Sequence, residues 1–488
     1  MTNLRTDTHM TLQTRLLLDG KFSDAHKRGE FAVVDPATGQ EFALVADATE
    51  ADGVRAVDAA ARAAAGWSSR APRDRSDVLR RAFDLMVRDA EDLAQLITRE
   101  NGKAIADARA EVAYAAEFFR WFSEEAVRSE GTFGEAPGGG ARNIVSHKPI
   151  GIALLVTPWN FPAAMITRKV APALAAGCTV IVKPAAETPL TALALAELLV
   201  EAGVPQGVVN VLPTTTSKPL VASIMADARV RKLSFTGSTE VGRALLHQAA
   251  DRVINTSMEL GGNAPFVIAE DADVAAAVGG ALIAKLRNGG QACTAANRFY
   301  VHANVVDEFV DAFGAAVAAL KVGPGSDPAT QIGPLVSWAA VSGVTRLVDE
   351  AVEAGAVVAH RSEVPSSGFY YPPTVLRDVP PTAAILQTEI FGPVAPVTTW
   401  TTEDEVVELV NTSEFGLASY VYSEDLTRAL RIAERLDTGM VGINRGLISD
   451  PSAPFGGTKQ SGIGREGARE GLRAFQETQY ISINWPSR

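Results

Sequence analysis

Apolar residues recur at helical spacing between about Ala51 and Arg128, with Leu79, Phe83, Met86, Leu93 and Leu96 sharing one face of a single long stretch. The spacing predicts a mostly helical region after a polar N-terminal tail. The segment GTFGEAPGGGARN (Gly131 to Asn143) then collects glycines that read as a turn. With the strand-like run ending at His147, it predicts a protruding hairpin.

From Gly151 the rhythm changes. Short apolar runs of β type, Ile152 to Thr157, Thr179 to Val182, Val208 to Leu212 and Val230 to Phe235, alternate with helical patterns such as Thr191 to Ala202. Runs without polar alternation predict strands buried on both faces. The alternation predicts an α/β fold with a doubly wound parallel sheet, whose ligand crevice lies beyond the carboxyl ends of the strands. A second α/β region follows from about Asn263 to Gly471. The alternating segment Gln479 to Trp485 closes the chain and could pair with the hairpin or with another subunit's sheet. There is no internal repeat, and the alanine-rich Ala56 to Ala65 reads as helix.

A length of 488 residues exceeds what one hydrophobic core organises, so two or more lobes are expected. The acidic balance, 57 Asp and Glu against 45 Lys and Arg, gives a net charge of -12 and disfavours nucleic acid or an anionic membrane as partner. An anionic substrate would need named arginines. The two cysteines and six histidines show neither disulfide-framework nor zinc spacing, so no metal is expected and a reducing compartment fits. No apolar run in the first residues is long enough for a secretory leader. The longest uncharged stretch, Pro149 to Thr167, is broken by Pro158, Asn160 and Pro162, so a membrane span is not expected. A soluble, cytoplasmic protein is the expectation.

Cys293 lies in Asn288-Gly-Gly-Gln-Ala-Cys-Thr, where adjacent glycines permit a sharp bend and leave amides near the sulfur that could lower its pKa or hold an oxyanion. A cysteine alone is as readily an inert small hydrophobe, the reading kept for Cys178 in AAGCTVIV. A thiolate attacking an aldehyde gives a thiohemiacetal, whose oxidation leaves a thioester for water to hydrolyse, and that water needs a base. Glu259, in SMELGGN, is flanked by apolar residues and glycines, where partial burial would raise its pKa; a solvated loop glutamate is the alternative. Asn160 follows a buried strand in TPWNFP and could donate to an oxyanion, or be a plain turn residue. Gly237 to Gly242, GSTEVG, follows a strand and opens a helix that could receive a pyrophosphate, without the full G-x-G-x-x-G spacing. Lys183 ends another strand and could hold ribose hydroxyls or a phosphate.

Taken together, TPWNFP, KPAAETP, FTGSTEVG, MELGGN, GQAC, EIFGPV (Glu389 to Val394) and PFGGTKQSGIGREG (Pro454 to Gly467) resemble the aldehyde dehydrogenase superfamily, in order, from about residue 15 to residue 488. The resemblance implies Cys293 as nucleophile, Glu259 as base, and Asn160 with the Cys293 amide as oxyanion hole. It implies Lys183, Gly237 and Ser238 on the adenosine side of a nicotinamide dinucleotide, Glu389 and Phe391 at its nicotinamide end, and the backbone at Trp159 and Leu260 lining the cleft. It also implies three parts: a dinucleotide domain (1–127 and 150–262), a catalytic domain (263–474) and a small β oligomerisation arm (128–149 and 475–488), giving a homodimer or homotetramer.

Within the superfamily the chain is most similar to succinate-semialdehyde dehydrogenases, through AMITRKVAPALAAGCTVIVKP and Gly446-Leu-Ile-Ser449. That similarity implies Arg168, Arg287 and Ser449 as holders of a distal carboxylate. Guanidinium forks suit carboxylates, and Arg287 stands six positions before the nucleophile; pairing of these arginines with internal acids is the alternative. Ala186 occupies the position where relatives restricted to NAD carry a glutamate, so NADP is expected to be accepted beside NAD, with the preference between them left open. Ala295 removes a redox-switch cysteine seen in some relatives. Arg445, if it faces the pocket, could extend specificity to glutarate or 2-oxoglutarate semialdehyde. The expected reaction is NAD(P)-dependent oxidation of succinate semialdehyde to succinate, against those longer acids or a general aliphatic or aromatic aldehyde.

Overall fold

The computed structural model describes residues 12–128 and 130–485, so the tail up to Thr11 and the arm's residues 486–488 lie outside the described residues. Apolar runs pair first into an eight-stranded sheet. Its order is Lys21–Ser23, Leu16–Leu18, Val209–Val211, Thr179–Lys183, Ile152–Val156, Val230–Thr236, Asn255–Glu259 and Gly462–Ile463. The strands from Val209–Val211 to Asn255–Glu259 run parallel, while the outer ones at both edges pair antiparallel, so the sheet is mixed. Burial on both faces is visible residue by residue. Ala153 and Leu155 pack into one apolar cluster, and Ile152, Leu154 and Val156 into the one on the opposite face.

A seven-stranded sheet follows in the order Val357–Arg361, Thr374–Arg377, Val394–Trp400, Ala296–His302, Ala264–Ile268, Ala418–Tyr422 and Met440–Ile443, parallel except at its first pair. The hairpin Thr132–Glu135 and Ala141–Pro149 takes the C-terminal strand Gln476–Asn484 as its third strand, in register from Gln476 opposite Pro149 to Asn484 opposite Ala141. That strand starts three residues earlier than the alternation of its side chains suggests. Tyr480 and Ile481, on its two opposite faces, are both exposed, and Phe133 is exposed on the hairpin.

Two further expectations need correction. The residues before Ala51 are not merely a tail: they include edge strands Leu16–Leu18 and Lys21–Ser23 and a hairpin of Glu30–Asp35 with Gln40–Ala46. The long helical stretch expected through Leu79 to Leu96 is divided between two helices, Pro72–Arg88 and Ala90–Asn101. Asp89, at φ −101 and ψ 19, ends one and begins the next. The apolar spacing runs through this break because both helices pack into the same core.

The fold places the carboxyl ends of the parallel strands together, which puts Asn160, Lys183, Gly237 and Glu259 along one edge of the first sheet. Cys293 precedes Ala296–His302 and Glu389 precedes Val394–Trp400, at the amino edge of the second sheet. Leu154 is wholly buried in the middle of the first sheet, whereas Val87 is 55% exposed. Leu154→Ala should cost about 2–5 kcal/mol, visible as a fall in the thermal midpoint, and Val87→Ala should stay within about 0.5 kcal/mol. Equal effects would show that the first sheet is not the core of the fold.

Candidate active site

Helix Val274–Leu286 ends at Arg287, and the next three residues all take positive φ: Asn288 at 55°, Gly289 at 60° and Gly290 at 76°. At Gly290 a side chain is excluded on two counts, since a Cβ would also stand 2.3 Å from the Gly392 carbonyl. This bend delivers Cys293, half-buried and free, to the cleft. Asp107 accepts the Asn288 amide at 2.8 Å, and the Gln291 carbonyl accepts the side-chain amides of Asn160 and Asn288, each at 3.1 Å. Burial pushes the Cys293 thiol up to about 12, helped by the charges of Glu389 and Glu259 and opposed by Arg168 and Arg287. The resting thiol therefore moves opposite to the lowering expected from the glycine-rich turn, because desolvation outweighs the local dipoles.

Glu259 ends a strand and is 2% exposed, so the solvated-loop alternative fails. Neither carboxylate oxygen has a hydrogen-bond partner. Burial holds the carboxyl well above the usual carboxylate range, Glu466 adds to this, and Lys169, Arg168 and Arg465 oppose it. Lys169 donates to Glu466 at 2.6 Å and to Ser234 at 2.8 Å. Asn160 spends one side-chain N–H on Gln291, and its Oδ1 is buried without a partner.

Along the same edge, Lys183 is buried and donates to the Ser217 hydroxyl at 2.9 Å; among the described residues it has no ion pair. Burial lowers its pKa, against the pull of Glu187. Ala186 is half-buried. Ser238 caps helix Thr239–Ala250, and Gly237 donates its N–H to the Glu259 carbonyl at 3.1 Å. Leu260 is buried and donates its N–H to the Ser461 carbonyl. From the second sheet, Glu389 accepts the Gly262 amide at 3.1 Å; burial lifts its carboxyl to about 7, with that N–H and Lys285 pulling it back. Phe391, at φ 52, meets Trp159 edge-to-face at 5.4 Å. A buried ammonium without an acid, a capped helix N-terminus and a cleft carboxylate fit a dinucleotide.

The three residues assigned to a substrate carboxylate differ. Arg168 is buried, donates to the Tyr114 hydroxyl at 2.7 Å, lies 3.5 Å from Glu466 and stacks 4.0 Å from the Phe455 ring centre. It thus pairs with an internal acid, the alternative open from sequence. Arg287 is half-buried with its guanidinium 5.0 Å from the Phe161 ring centre; among the described residues it has no ion pair and no side-chain hydrogen bond. Ser449 is half-buried and bonds to neither arginine among the described residues. Arg445 is exposed and turns back to the Leu447 carbonyl. Lys169, Glu466 and Tyr114 were not singled out from sequence. Glu466 lies 297 residues from its lysine, and only its place in PFGGTKQSGIGREG marks it. Among the described residues no group of three or more His, Cys, Asp or Glu could hold a metal ion.

A parallel sheet whose carboxyl edge opens on a cysteine-bearing loop is the frame of an α/β dehydrogenase. The chain belongs to the Aldehyde dehydrogenase family, which it matches over residues 22–481. It is 55% identical to the succinate-semialdehyde dehydrogenase of Paenarthrobacter nicotinovorans over 445 residues, covering 91% of this chain and 99% of that one. A glutarate-semialdehyde dehydrogenase of Pseudomonas putida is 47% identical, over 96% and 97% of the two chains. The crystal structure of an E. coli NADP dependent enzyme superposes with a TM-score of 0.96 at 44% identity, covering 97% of this chain and 98% of that one.

A thiol held near 12 is almost wholly protonated at neutral pH. The rate of Cys293 alkylation by iodoacetamide in the cofactor-free protein should therefore rise about tenfold per pH unit from 6 to 9 without levelling. Glu389→Gln removes a neighbour that is negative above about pH 7 and should speed alkylation there, with little change at pH 6. A plateau near pH 7 would contradict the desolvated thiol.

Proposed function

We propose that the chain oxidises an ω-carboxy aldehyde, succinate semialdehyde first, to the free acid. The observation that carries the substrate is Arg287, a half-buried cation with no ion-pair partner among the described residues, whose charge reaches the Asp107 carboxyl and the Cys293 thiol. A substrate carboxylate supplies that partner, and a short chain then sets the aldehyde carbon at the sulfur. Arg168 lends charge while sharing its guanidinium with Glu466, and Ser449 completes the set. The P. nicotinovorans relative favours succinate semialdehyde and the P. putida one keeps glutarate semialdehyde as the second reading. The outward turn of Arg445 gives no support to a pocket extended by that residue.

Cys293 loses its thiol proton to solvent water and attacks the carbonyl carbon, and the oxyanion is met by the free N–H of Asn160 and the Cys293 amide. A nicotinamide dinucleotide bound in the cleft would supply the hydride acceptor for oxidation of the thiohemiacetal. Glu259 then takes a proton from the water that hydrolyses the thioester, a role suited to a carboxyl raised by burial. Lys183, Gly237 and Ser238 hold the adenosine side, Glu389 and Phe391 the nicotinamide side, and Trp159 and Leu260 line the cleft. NADP is accepted beside NAD: no carboxylate stands at Ala186 to repel a 2′-phosphate, and the Lys183 ammonium donates to a hydroxyl with Glu187 as its nearby acid. The exposed arm residues Phe133, Tyr480 and Ile481 support a homodimer or homotetramer. Two free cysteines and an acidic surface support a reducing, cytoplasmic setting. Among the described residues no helix is long and apolar enough to cross a membrane.

Steady-state kinetics with succinate semialdehyde and butanal test the clamp. Arg287→Ala should lower kcat/KM for the acid aldehyde by about 30-fold or more, the scale of a lost desolvated charge pair, and spare butanal within about threefold. Equal losses on both aldehydes would make Arg287 structural and sink the acid-substrate reading. In a parallel series, Ala186→Glu should depress turnover with NADP while retaining NAD, by repulsion of the 2′-phosphate. An unchanged cofactor ratio would refute the assignment of Ala186.

A further inference from the structure

The turn Asn101 to Lys103 takes no part in the chemistry proposed above, yet it holds the loop that carries Asn160. Helix Ala90–Asn101 ends on Gly102 at φ 91, which turns the chain sharply. The Asn101 side chain donates to the Trp159 carbonyl at 3.0 Å, and Lys103 Nζ donates to the Asn160 carbonyl at 2.8 Å. Two consecutive carbonyls of the loop are thus fixed from one turn. The Lys103 side chain is fully buried, pairs with Glu111 at 2.5 Å and lies 4.2 Å from the Phe161 ring centre. Glu111 in turn accepts the amides of Ala163 and Ala164, at 2.9 and 3.3 Å, in the first turn of helix Pro162–Ala176. One ion pair therefore grips the chain at the Asn160 carbonyl and again at the amides of Ala163 and Ala164, while Asn101 holds the carbonyl before Asn160.

The same turn also leads to the nucleophile. The Asn160 carbonyl accepts a second hydrogen bond, from the Asn288 side chain at 2.7 Å, and Asp107, on the helix that follows Lys103, holds the Asn288 amide. Stability alone does not explain such a device, because the cost of desolvating a buried ion pair commonly offsets its attraction. Charge-assisted hydrogen bonds fix direction more tightly than apolar packing does. Direction matters here, since a misplacement of about 1 Å in a catalytic group can lower a rate by about 100-fold.

We propose that Lys103, together with Glu111, is a positioning residue that fixes the Asn160 amide against the Cys293 loop. Lys103 does not touch the substrate; it acts through Asn160, and so rests on the reading of Asn160 as oxyanion donor. Glu111 without its lysine would still be held by two amides at a helix N-terminus, so Lys103→Met is compatible with folding.

The test is a double-mutant cycle on the full-length enzyme with Lys103→Met, Asn160→Ala and the pair, following kcat, KM and single-turnover formation of reduced cofactor. Lys103→Met should lower kcat by about 10- to 100-fold with KM within about threefold, and should add less than about threefold in the Asn160→Ala background. Cys293 alkylation at pH 8 should keep its wild-type rate. Multiplicative losses, or a matching fall in alkylation, would overturn the positioning role while leaving Asn160 in place. An Asn160→Ala enzyme with intact kcat would overturn the oxyanion reading and this inference with it, visible from that single variant. Should Lys103→Met not fold, Glu111→Gln decides in the same cycle, with a smaller loss that again vanishes beside Asn160→Ala.

Discussion

The backbone of Gly262 passes so close to the carbonyl of Cys293 that a Cβ there would stand 2.2 Å from the oxygen. This contact joins the carboxyl edge of one sheet to the amino edge of the other. Glu259 lies three residues before it and Glu389 accepts the Gly262 amide, so Glu259, Cys293 and Glu389 all meet at one stretch of backbone. Gly290 repeats the device against the Gly392 carbonyl. Main chain meeting main chain leaves no rotamer freedom at the join, which is the preorganisation a covalent site needs.

Around that join, desolvation decides the protonation states. The Cys293 thiol and the carboxyls of Glu259 and Glu389 all move toward their neutral forms. Coulombic help from Arg168, Arg287 and Lys169 does not reverse any of these shifts. Glu466 explains part of the outcome: it takes the Lys169 ammonium at 2.6 Å and lies 3.5 Å from Arg168, so two of the cations near Glu259 already serve another acid. Glu259 is left without a hydrogen-bond partner, the condition under which a carboxyl works as a base at neutral pH rather than as a fixed anion.

Much of this frame was legible in the sequence because the parallel strands are buried on both faces. Ile152 to Val156 has no polar alternation to confuse, and its carboxyl end marks where ligands go. Strand Leu16–Leu18 was not legible, since three leucines at a sheet edge carry no period. The break at Asp89 was hidden by an apolar stripe common to two helices. Candidate site residues were legible where a motif held them, as with Cys293, Glu259 and Asn160. Lys103 was not, because Asn-Gly-Lys reads as an ordinary helix end. Its partners, Glu111 and the Asn160 carbonyl, are apparent only once the chain is folded.

The proposed substrate adds a further constraint on the nucleophile. Arg168 and Arg287 are the groups that favour the Cys293 thiolate. A carboxylate seated on Arg287 cancels much of that help just as the aldehyde arrives, so the clamp that confers specificity works against ionisation of the thiol. Attack then depends on stabilising charge after it has moved to the carbonyl oxygen rather than while it sits on sulfur. That load falls on the Asn160 amide and the Cys293 N–H. It explains, on this reading, why a buried ion pair and two side-chain amides are spent on the placement of one loop carbonyl and its neighbour.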